Sequence, residues 1–402
     1  MPSADAVEDM LTGTVNAGEL AGAATLVWRG GRVVQTASVG WRDMEAALPI
    51  ARDTLFRIAS MSKPITSVVA LTLLDEGRFA LDAPISRWAP ELAEMRVIRD
   101  RNGPLEATDR ATRPITFEDL LTHRSGLTYA EFARGPLARA YKDALGADID
   151  SERTPDEWIA GLAALPLVDQ PGAAFNYGNS TDLLGLLLAR MDDAPLGEVM
   201  RRRLFEPLGM TDTGFIVPPA QRHRRAKMYG FDDAGRLAER RTDAGGAFVA
   251  ERPDDMVFES GGQGLWSTLD DFLAFARLFT GEGAVDGVRI LKPETIAMMT
   301  TNRLTDAQRA AARMFGTSLF AGHGFGLGVA VVMDPAKAQS TLCNGAVGTV
   351  GWPGAFGGWW QADPAEQSIM IFLAHNSFEV AQIAKGYGLG VYDAITQFHA
   401  SG

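Results

Sequence analysis

The chain has 402 residues, of which 46% are hydrophobic and 22% charged, a balance typical of soluble globular proteins that argues against wholesale disorder. Its 38 basic and 50 acidic side chains give a net charge of −12, which repels phosphate backbones and anionic lipids, so neither nucleic acid nor a membrane is an expected partner. The single cysteine, Cys343, excludes an intrachain disulfide.

The first part of the chain predicts a helix, a β-hairpin and a second, buried helix. Residues 3–18 have the pattern of a polar helix, and the lack of a basic or apolar leader predicts a cytoplasmic protein. Two β-rich runs within residues 23–38 flank Gly30-Gly31, a turn typical of hairpins. Residues 63–76 are apolar on nearly all sides, as expected of a helix enclosed within a domain.

The middle of the chain predicts short helices separated by connections rich in Pro, Gly and Asp. The predicted helices cover residues 117–122, 155–165, 182–190 and 196–204. The basic run of residues 221–225 is interpreted as a solvated loop, because no aromatic side chains interleave with it. A further helix is predicted from Thr268, whose side chain can cap it ahead of an apolar stripe.

The last part of the chain returns to β patterning. Apolar residues alternate over residues 325–331, which predicts a strand whose neighbouring glycines pack closely against another element. Two more strands, over residues 355–362 and 368–374, flank a turn at residues 363–367. Strands at both ends and helices between them predict one sheet built from both termini, with a helical region inserted.

Several kinds of catalytic site lack their sequence signatures. No P-loop occurs, and no glycine-rich dinucleotide motif follows a strand into a helix. The G-x-S-x-G elbow is also absent, which disfavours a Ser-His-Asp hydrolase, although such triads occur in other surroundings. No metal site and no cofactor are expected, because no two histidines have ligand spacing and one cysteine cannot build a thiolate site. The histidines are His123, His223, His323, His375 and His399.

Ser60-Met61-Ser62-Lys63 is a candidate nucleophile motif. Residues three apart on a helix share a face, so the Ser60 hydroxyl and the Lys63 ammonium can meet. A serine hydroxyl becomes an effective nucleophile when a neighbouring base takes its proton, and a buried lysine can be that base. A helix-capping serine followed by a surface lysine is the structural alternative, but no other lysine in the chain has a serine three residues before it.

Phe175-Asn176-Tyr177-Gly178-Asn179 is the second candidate element, ahead of an apolar helix. Among six tyrosines, Tyr177 alone has asparagine two positions on. A phenol near cationic groups can lose its proton and pass it to a leaving group, whereas ordinary packing is the alternative. The hypothesis is that Tyr177 transfers protons and that Asn179 orients Lys63.

The third candidate element is Val350-Gly351-Trp352-Pro353-Gly354-Ala355, which leads into a predicted strand. Gly354 permits close approach of the backbone, and the N–H of Ala355 can point at an oxyanion. Taken alone, the segment is more typical of an ordinary turn before a strand.

These three elements, in this order and at these separations, resemble the serine β-lactamase and penicillin-binding-protein superfamily. The resemblance is closer to class C β-lactamases and family VIII carboxylesterases, which show S-x-x-K, then Y-x-N, then a short motif before the last strands. Connecting stretches are similar as well, and the resemblance covers about residues 20–375. The similar stretches are Phe56–Ala59, Leu120–Leu127 and Gly264–Asp271.

The resemblance implies a β-lactamase/transpeptidase-like α+β fold. In that fold an antiparallel sheet from both chain ends is flanked by helices and carries an inserted, mainly helical domain. We therefore expect a discontinuous sheet domain over residues 1–80 and 256–402 and a helical domain over residues 81–255. The active site is expected between the two domains.

The resemblance also implies roles for individual residues. Ser60 is the acylated nucleophile, Lys63 and Tyr177 share the roles of base and acid, and Asn179 supports Lys63. The backbone N–H groups of Ser60 and Ala355 form the oxyanion hole.

Trp352 departs from the β-lactamase pattern. In β-lactamases and DD-peptidases the third motif usually begins with a lysine or histidine that meets the substrate carboxylate, whereas the esterase branch commonly has Trp-Gly-Gly. Tryptophan offers apolar surface and one N–H donor. We therefore expect Trp352 and Gly354 to contact an uncharged ester, and Pro353, which is unusual even among esterases, leaves the identity of the oxyanion donor open.

The leading hypothesis is a serine carboxylesterase that takes small-molecule esters of short to medium acyl chains. The same site fits a β-lactamase, a D-amino-acid peptidase or amidase, or an acyltransferase, which differs only in the group that accepts the acyl chain. A protein that binds without catalysis is disfavoured, because Ser60, Lys63 and Tyr177 are all present. The sequence leaves the natural substrate and the oligomeric state undetermined.

Overall fold

An eight-stranded sheet joins the two ends of the chain, and helices cover its faces. The computed structural model describes residues 4–147, 149–241, 252, 255–314, 316–377 and 386–401. In chain order the helices are α1 Ala4–Asn16, α2 Ser62–Asp75, α3 Phe117–Leu121, α4 Gly135–Leu145, α5 Pro155–Ala163, α6 Ser180–Asp192, α7 Leu196–Met200, α8 Glu206–Leu208, α9 Leu269–Thr280, α10 Pro293–Met299, α11 Asp306–Ala311 and α12 Leu389–Ser401.

The strands are short except at the centre of the main sheet. They are β1 Gly22–Arg29, β2 Arg32–Asp43, β3 Leu48–Pro49, β4 Phe56–Arg57, β5 Arg96–Ile98, β6 Thr108–Arg110, β7 Tyr229–Phe231, β8 Leu237–Glu239, β9 Trp266–Ser267, β10 Ala284–Val285, β11 Val288–Arg289, β12 Arg313–Met314, β13 Thr317–Ser318, β14 His323–Phe325, β15 Ala330–Val332, β16 Val350–Gly351, β17 Trp359–Asp363 and β18 Ser368–Ala374.

The main sheet has the order β14-β15-β16-β17-β18-β1-β2-β3, and each neighbouring pair is antiparallel. β1, from the start of the chain, lies beside β18, from near its end, with Thr25 opposite Phe372. The antiparallel sheet built from both chain ends is therefore confirmed.

Both faces of the central strands are covered, because successive side chains of a strand point to opposite sides. In β18, Ile369, Ile371 and Leu373 enter the main core with residues of α2 and α9. Met370 and Phe372 point the other way and pack with residues of α1 and α12. Every residue of β18 is buried as a result, which explains why its sequence is continuously apolar instead of alternating.

The predicted hairpin and the two predicted helices beside it are present. β1 and β2 pair across Gly30-Gly31, whose φ angles of 55° and 89° lie in the left-handed region that favours glycine. The helix predicted over residues 3–18 is α1, and the helix predicted over residues 63–76 is α2. Its residues Ser62–Leu73 are all buried, as the apolar pattern indicated.

The single strand predicted over residues 325–331 is wrong, because the structure folds these residues into a hairpin. β14 ends, the Gly326 N–H donates to the Val329 carbonyl at 2.8 Å, and β15 follows. Gly328 turns the chain with a φ of 95°, and a Cβ on it would lie only 2.1 Å from the Ser67 Oγ. The glycines do pack closely against other elements, as predicted. The absence of a side chain that permits this packing also permits the chain to reverse direction between β14 and β15.

The main hydrophobic cluster runs without a break from the sheet into the helices of the middle segment. It includes Leu26 of β1, Val68 of α2 and Leu184 of α6, and α6 packs against both α2 and α3. The predicted division into two domains at residues 80 and 255 stays a prediction. In the described part of the chain, no helix has both the length and the apolar composition needed to cross a bilayer.

Candidate active site

Ser60 lies in a 3-10 turn, Ala59–Met61, that leads directly into α2. The strand before it, β4, pairs with β9, and the Ile58 N–H donates to the Leu265 carbonyl at 3.0 Å. Ala59 is fully buried with a φ of 45°, a conformation that costs a non-glycine residue about 1–3 kcal/mol and persists only where the surroundings impose it. The turn therefore presents Ser60 in a defined position at the start of a buried helix.

Lys63 is brought to Ser60, as the three-residue spacing predicted. Its ammonium donates to the Ser60 Oγ at 3.1 Å and to the Gly262 carbonyl at 2.9 Å, and the residue is 1% exposed. The Nζ also lies 4.7 Å from the ring centre of Tyr177 and 5.3 Å from that of Tyr129. Neutral oxygens and the negative faces of two aromatic rings thus surround a buried ammonium.

Tyr177 is held against the lysine by the loop ahead of α6. A Cβ on Gly178 would lie 2.3 Å from the backbone of Thr128, so only glycine allows this approach. Trp352 donates its indole N–H to the Tyr177 hydroxyl oxygen at 3.1 Å, and the two ring centres are 5.4 Å apart. The structure therefore places the ring face of Tyr177 against Lys63 and the hydroxyl of Tyr177 against Trp352.

Trp352 is 2% exposed and packs under Tyr177 and Phe325. Its only N–H is used by Tyr177, so the side chain is built into the wall of the site. Direct contact between Trp352 and a substrate stays a prediction, and the structure adds a different contact that the sequence did not indicate.

Asn179 does not meet Lys63. Its amide N–H donates to the Thr128 carbonyl at 2.9 Å, and among the described residues Lys63 donates to Ser60 and Gly262 instead. Asn179 precedes α6 and is buried, so its amide ties the tyrosine loop to the neighbouring segment. Among the described residues no hydrogen bond joins Asn179 to Lys63, and the supporting role expected of Asn179 stays a prediction.

The third motif forms a loop beside the Ser60 turn. The strand predicted over residues 355–362 begins only at Trp359, and the Gly354 N–H donates to the Gly358 carbonyl at 2.7 Å. A Cβ on Gly354 would lie 2.5 Å from the Ile58 carbonyl oxygen, so this glycine permits the close approach that was predicted. Ala355 is exposed, and the oxyanion hole formed by its N–H and that of Ser60 stays a prediction.

Asp182, in the first turn of α6, is a buried group that the sequence interpretation missed. It accepts hydrogen bonds from the Ser260 hydroxyl at 2.5 Å and from the Gly262 N–H at 3.0 Å. The Tyr129 hydroxyl also donates to it, at 3.3 Å. Burial raises the pKa of this carboxyl, while the charge of Lys63 acts in the opposite direction. An acidic residue inside the apolar run of α6 was the one signal that could have found it.

His123 forms an aromatic wall of the site. Its ring centre lies 4.9 Å from that of Tyr177, and its φ of 53° is unusual for a residue other than glycine. Burial, and then the charge of Lys63, hold the pKa of His123 well below its usual range. The imidazole is therefore neutral near pH 7 and contributes packing in place of a charge.

The site shows no arrangement suited to a metal ion. In the residues that the structure describes, no three histidine, cysteine or acidic side chains lie together as a possible metal centre. Ser60 receives the Lys63 ammonium, and the Tyr177 ring lies beside that ammonium, so a hydroxyl, a cation and a phenol lie in one buried region.

Comparison with known proteins identifies the family. A model of the family described as Beta-lactamase matches residues 7–388. The chain belongs to the beta-lactamase family. Protein Rv1367c of Mycobacterium tuberculosis is 46% identical over 358 residues, which cover 89% of this chain and 86% of that protein. Esterase EstB of Burkholderia gladioli is 32% identical over 375 residues, which cover 90% of this chain and 87% of the esterase.

Solved structures of the beta-lactamase family share the fold. EstCE1, described as a hydrolase with promiscuous acyltransferase activity, has a TM-score of 0.77 and 27% identity over 98% of both chains. The β-lactamase/transpeptidase-like fold predicted from the sequence is therefore confirmed. With an esterase among its sequence relatives and a hydrolase among its structural neighbours, the chain is a serine hydrolase.

Proposed function

We propose that the chain is a carboxylesterase that hydrolyses uncharged, small-molecule esters with short- to medium-chain acyl groups through an acyl-enzyme on Ser60. The observation that carries the proposal is the buried contact between the Ser60 Oγ and the Lys63 Nζ at 3.1 Å, with the Tyr177 ring beside it. A hydroxyl at hydrogen-bond distance from a basic group that is itself oriented by other groups is the arrangement of an activated nucleophile.

In the acylation step the pair of Lys63 and Tyr177 starts with one proton fewer than an ammonium and a phenol hold together, as an amine with a phenol or an ammonium with a phenolate, so it can take the Ser60 proton as Oγ attacks the ester carbonyl carbon. The carbonyl oxygen becomes an oxyanion, which the backbone N–H groups of Ser60 and Ala355 stabilise. When the tetrahedral intermediate collapses, the bond to the alcohol oxygen breaks and the same proton passes to that oxygen. The products of this step are the free alcohol and an acyl group bound to Ser60.

In the second step a water molecule attacks the carbonyl carbon of the acyl-enzyme, and the same two side chains move the protons in the opposite direction. Lys63 and Tyr177 take a proton from the water and return one to the Ser60 Oγ as the carboxylic acid leaves. The catalyst ends in its starting protonation state.

The residue at the start of the third motif favours esters without a carboxylate. Trp352 contributes an aromatic ring and an N–H that is already donated to Tyr177, so it offers no cation for a carboxylate. A charge-assisted hydrogen bond is worth about 1.5–3 kcal/mol, so a substrate that depends on one loses roughly ten- to a hundredfold in kcat/KM. The similarity to esterase EstB supports ester hydrolysis as the activity.

Acyl transfer to an alcohol is the second candidate activity. The printed description of EstCE1 includes promiscuous acyltransferase activity, and this chain superposes on it with a TM-score of 0.77. The first step is then identical, and an alcohol replaces water in the second. Adding a primary alcohol to the assay and measuring the transesterified product against the free acid separates the two activities.

The proposal is tested by covalent labelling and by a comparison of substrates. A fluorophosphonate is expected to attach once per chain, at Ser60, and the wild type is expected to hydrolyse p-nitrophenyl butyrate far better than nitrocefin or a D-Ala-D-Ala peptide. Ser60→Ala should lose both labelling and hydrolysis. Ser62→Ala is the matched control, because Ser62 is also buried, lies two residues from Ser60 and accepts a hydrogen bond from the Leu265 N–H instead of one from the Lys63 ammonium. An adduct on another serine, or a preference for the β-lactam or peptide, contradicts the proposal.

A further inference from the structure

We infer that Asp182 is a positioning residue that holds Lys63 toward Ser60 through the Gly262 peptide and the Tyr129 hydroxyl. The inference rests on the proposed function, because it assigns a role to a residue behind the same nucleophile. Asp182 has no hydrogen bond to Ser60 or Lys63 among the described residues, so it acts through its neighbours.

One carboxylate organises two separate walls of the lysine pocket. Its Oδ1 accepts the Gly262 N–H at 3.0 Å and the Ser260 hydroxyl at 2.5 Å, and its Oδ2 accepts the Tyr129 hydroxyl at 3.3 Å. These donors lie far from Asp182 in the chain and on either side of it, 53 positions away for Tyr129 and 78 for Ser260. The carboxylate is thus the point at which two distant segments meet.

Each wall then contacts Lys63. The carbonyl of Gly262, whose N–H is fixed by Asp182, accepts the Lys63 ammonium at 2.9 Å. The ring of Tyr129, whose hydroxyl is fixed by the same carboxylate, lies 5.3 Å from the Nζ. A Cβ on Gly262 would lie 2.6 Å from the Asp182 Oδ2, so the loop fits against the carboxylate only without a side chain. A displacement of the Asp182 carboxylate would therefore displace both the Gly262 carbonyl and the Tyr129 ring from Lys63.

The indirect arrangement also suits the chemistry. A direct ion pair would draw the ammonium toward the carboxylate and away from Ser60, because a charge-assisted hydrogen bond is stronger than one to a neutral hydroxyl. With the backbone of Gly262 between them, Asp182 and Lys63 still interact electrostatically, while the Nζ keeps its contact with the Ser60 Oγ at 3.1 Å. The lysine therefore stays compensated and still free to exchange a proton with the nucleophile.

The test is Asp182→Asn, compared with Asp271→Asn. Asp271 is a matched control, because it is also buried and accepts one hydroxyl, from Thr213, and one backbone N–H, from Asp212, each at 2.8 Å. Activity is expressed per fluorophosphonate-titrated site, so misfolded protein does not count. Asp182→Asn is expected to lower kcat about 10- to 100-fold with KM within about twofold, since a small misplacement of a catalytic group has effects of this size. Asp271→Asn is expected to keep its kcat.

A second variant covers the case in which Asp182→Asn folds poorly. Ser260→Ala removes one hydrogen bond to Asp182 and keeps the charge, and is expected to lower kcat by about three- to tenfold. The rate constant for labelling of Ser60 by the fluorophosphonate should fall in parallel in both variants, whatever the natural substrate is.

The outcomes separate this inference from the proposed function. If wild type is an active esterase and both variants keep kcat per site and labelling rate within about twofold, Asp182 is only structural and the inference is overturned. Equal losses in Asp182→Asn and Asp271→Asn overturn it as well, because the effect is then one of general packing. A wild type that neither hydrolyses esters nor is labelled at Ser60 refutes the proposed function itself.

Discussion

Three residues before Ser60 a buried arginine pairs directly with a carboxylate, whereas three residues after it a buried lysine meets neutral oxygens and aromatic faces. We call the first group, Arg57 with Asp150 and Arg252, the arginine cluster. We call the second group, Lys63 with Gly262 and Asp182, the lysine cluster. Both lie in the interior beside the same turn, so the difference between them is one of chemistry and not of burial.

The arginine cluster is a direct ionic clamp. Asp150 accepts the Arg57 guanidinium at 2.9 Å and the Arg252 guanidinium at 3.1 Å, one on each carboxylate oxygen. The Arg57 guanidinium also lies 4.9 Å from the ring centre of Trp266. Guanidinium groups keep their proton under all ordinary conditions, so such a cluster fixes geometry and takes no part in proton transfer.

In the lysine cluster the backbone of one residue, Gly262, lies between the ammonium and the carboxylate. An ammonium can give up its proton, and among the described residues no carboxylate holds the Lys63 ammonium directly while it contacts the Ser60 hydroxyl. The comparison teaches that the choice of cation, and the distance to its counter-charge, separates a structural cluster from the cluster that we propose is catalytic within a single core.

The largest expected effect comes from breaking the arginine cluster. Asp150→Asn leaves two buried guanidinium groups without their shared carboxylate, and loss of one partner from a buried pair commonly costs about 3–5 kcal/mol of stability. Urea unfolding is the measurement. In the lysine cluster, Asp182→Asn is expected to cost less, because burial already raises the pKa of that carboxyl and so disfavours its charged form.

The distinction between the clusters also predicts activity. Asp150→Asn should keep kcat per titrated site within about threefold, since the clamp touches no reacting group. The comparison fails if Asp150→Asn removes activity without destabilising the protein, or if the two asparagine variants are equally destabilised.

A smaller effect is expected from removing the phenol that faces the lysine cluster. Tyr177→Phe keeps the ring against Lys63 and removes the oxygen that accepts the Trp352 N–H, so kcat should fall about a hundredfold or more while the fold is retained. Steady-state kinetics on p-nitrophenyl butyrate measure the loss. Tyr141→Phe is the control, because Tyr141 is a buried tyrosine of α4 outside the site. Equal activity in Tyr177→Phe and wild type assigns Tyr177 to packing alone.

The smallest expected effect concerns pH and the arginine cluster. His375 accepts the Arg57 backbone N–H at 3.3 Å, and burial, then the Arg57 charge, lowers its pKa to about 3. In the unfolded chain the ring titrates near its ordinary value of about 6.5, so between these values the unfolded state binds more protons. The contribution of His375 to the free energy of unfolding is therefore complete above about pH 6.5. It is lost on acidification, by up to about 1.4 kcal/mol per pH unit.

The measurement is urea unfolding of wild type and His375→Gln at pH 7.5, 6.0 and 5.0. Because the variant lacks the titrating ring, its free energy of unfolding should decline less steeply as the pH falls. The difference in free energy of unfolding between wild type and variant should therefore become smaller at lower pH. Parallel declines show that His375 is not the source of the acid sensitivity.

Several features of the fold followed from the sequence because they depend on local geometry. The Gly30-Gly31 turn, the apolar pattern of α2 and the three-residue spacing of Ser60 and Lys63 each involve neighbours in the chain. Helix and hairpin geometry alone brings such residues together, so spacing predicts their contact. The family motifs added the fold, which the comparisons confirm.

Other features were decided by contacts that spacing does not report. Alternation over residues 325–331 is typical of a strand, but the close contact of Gly328 with Ser67 places a turn there. Arg224, in the predicted solvated run, instead forms ion pairs with Asp53 and Asp212. In each case a partner distant in the chain changed the outcome that local pattern favoured.

The site shows the same division. The sequence predicted the contact between Ser60 and Lys63, because a helix fixes their separation whatever surrounds it. Only the tertiary structure decided that Asn179 binds the Thr128 carbonyl, that Trp352 donates to Tyr177 and that Asp182 stands behind Lys63. These contacts join segments far apart in the chain, and their partners depend on which groups the folded core leaves close enough to satisfy each buried donor and acceptor.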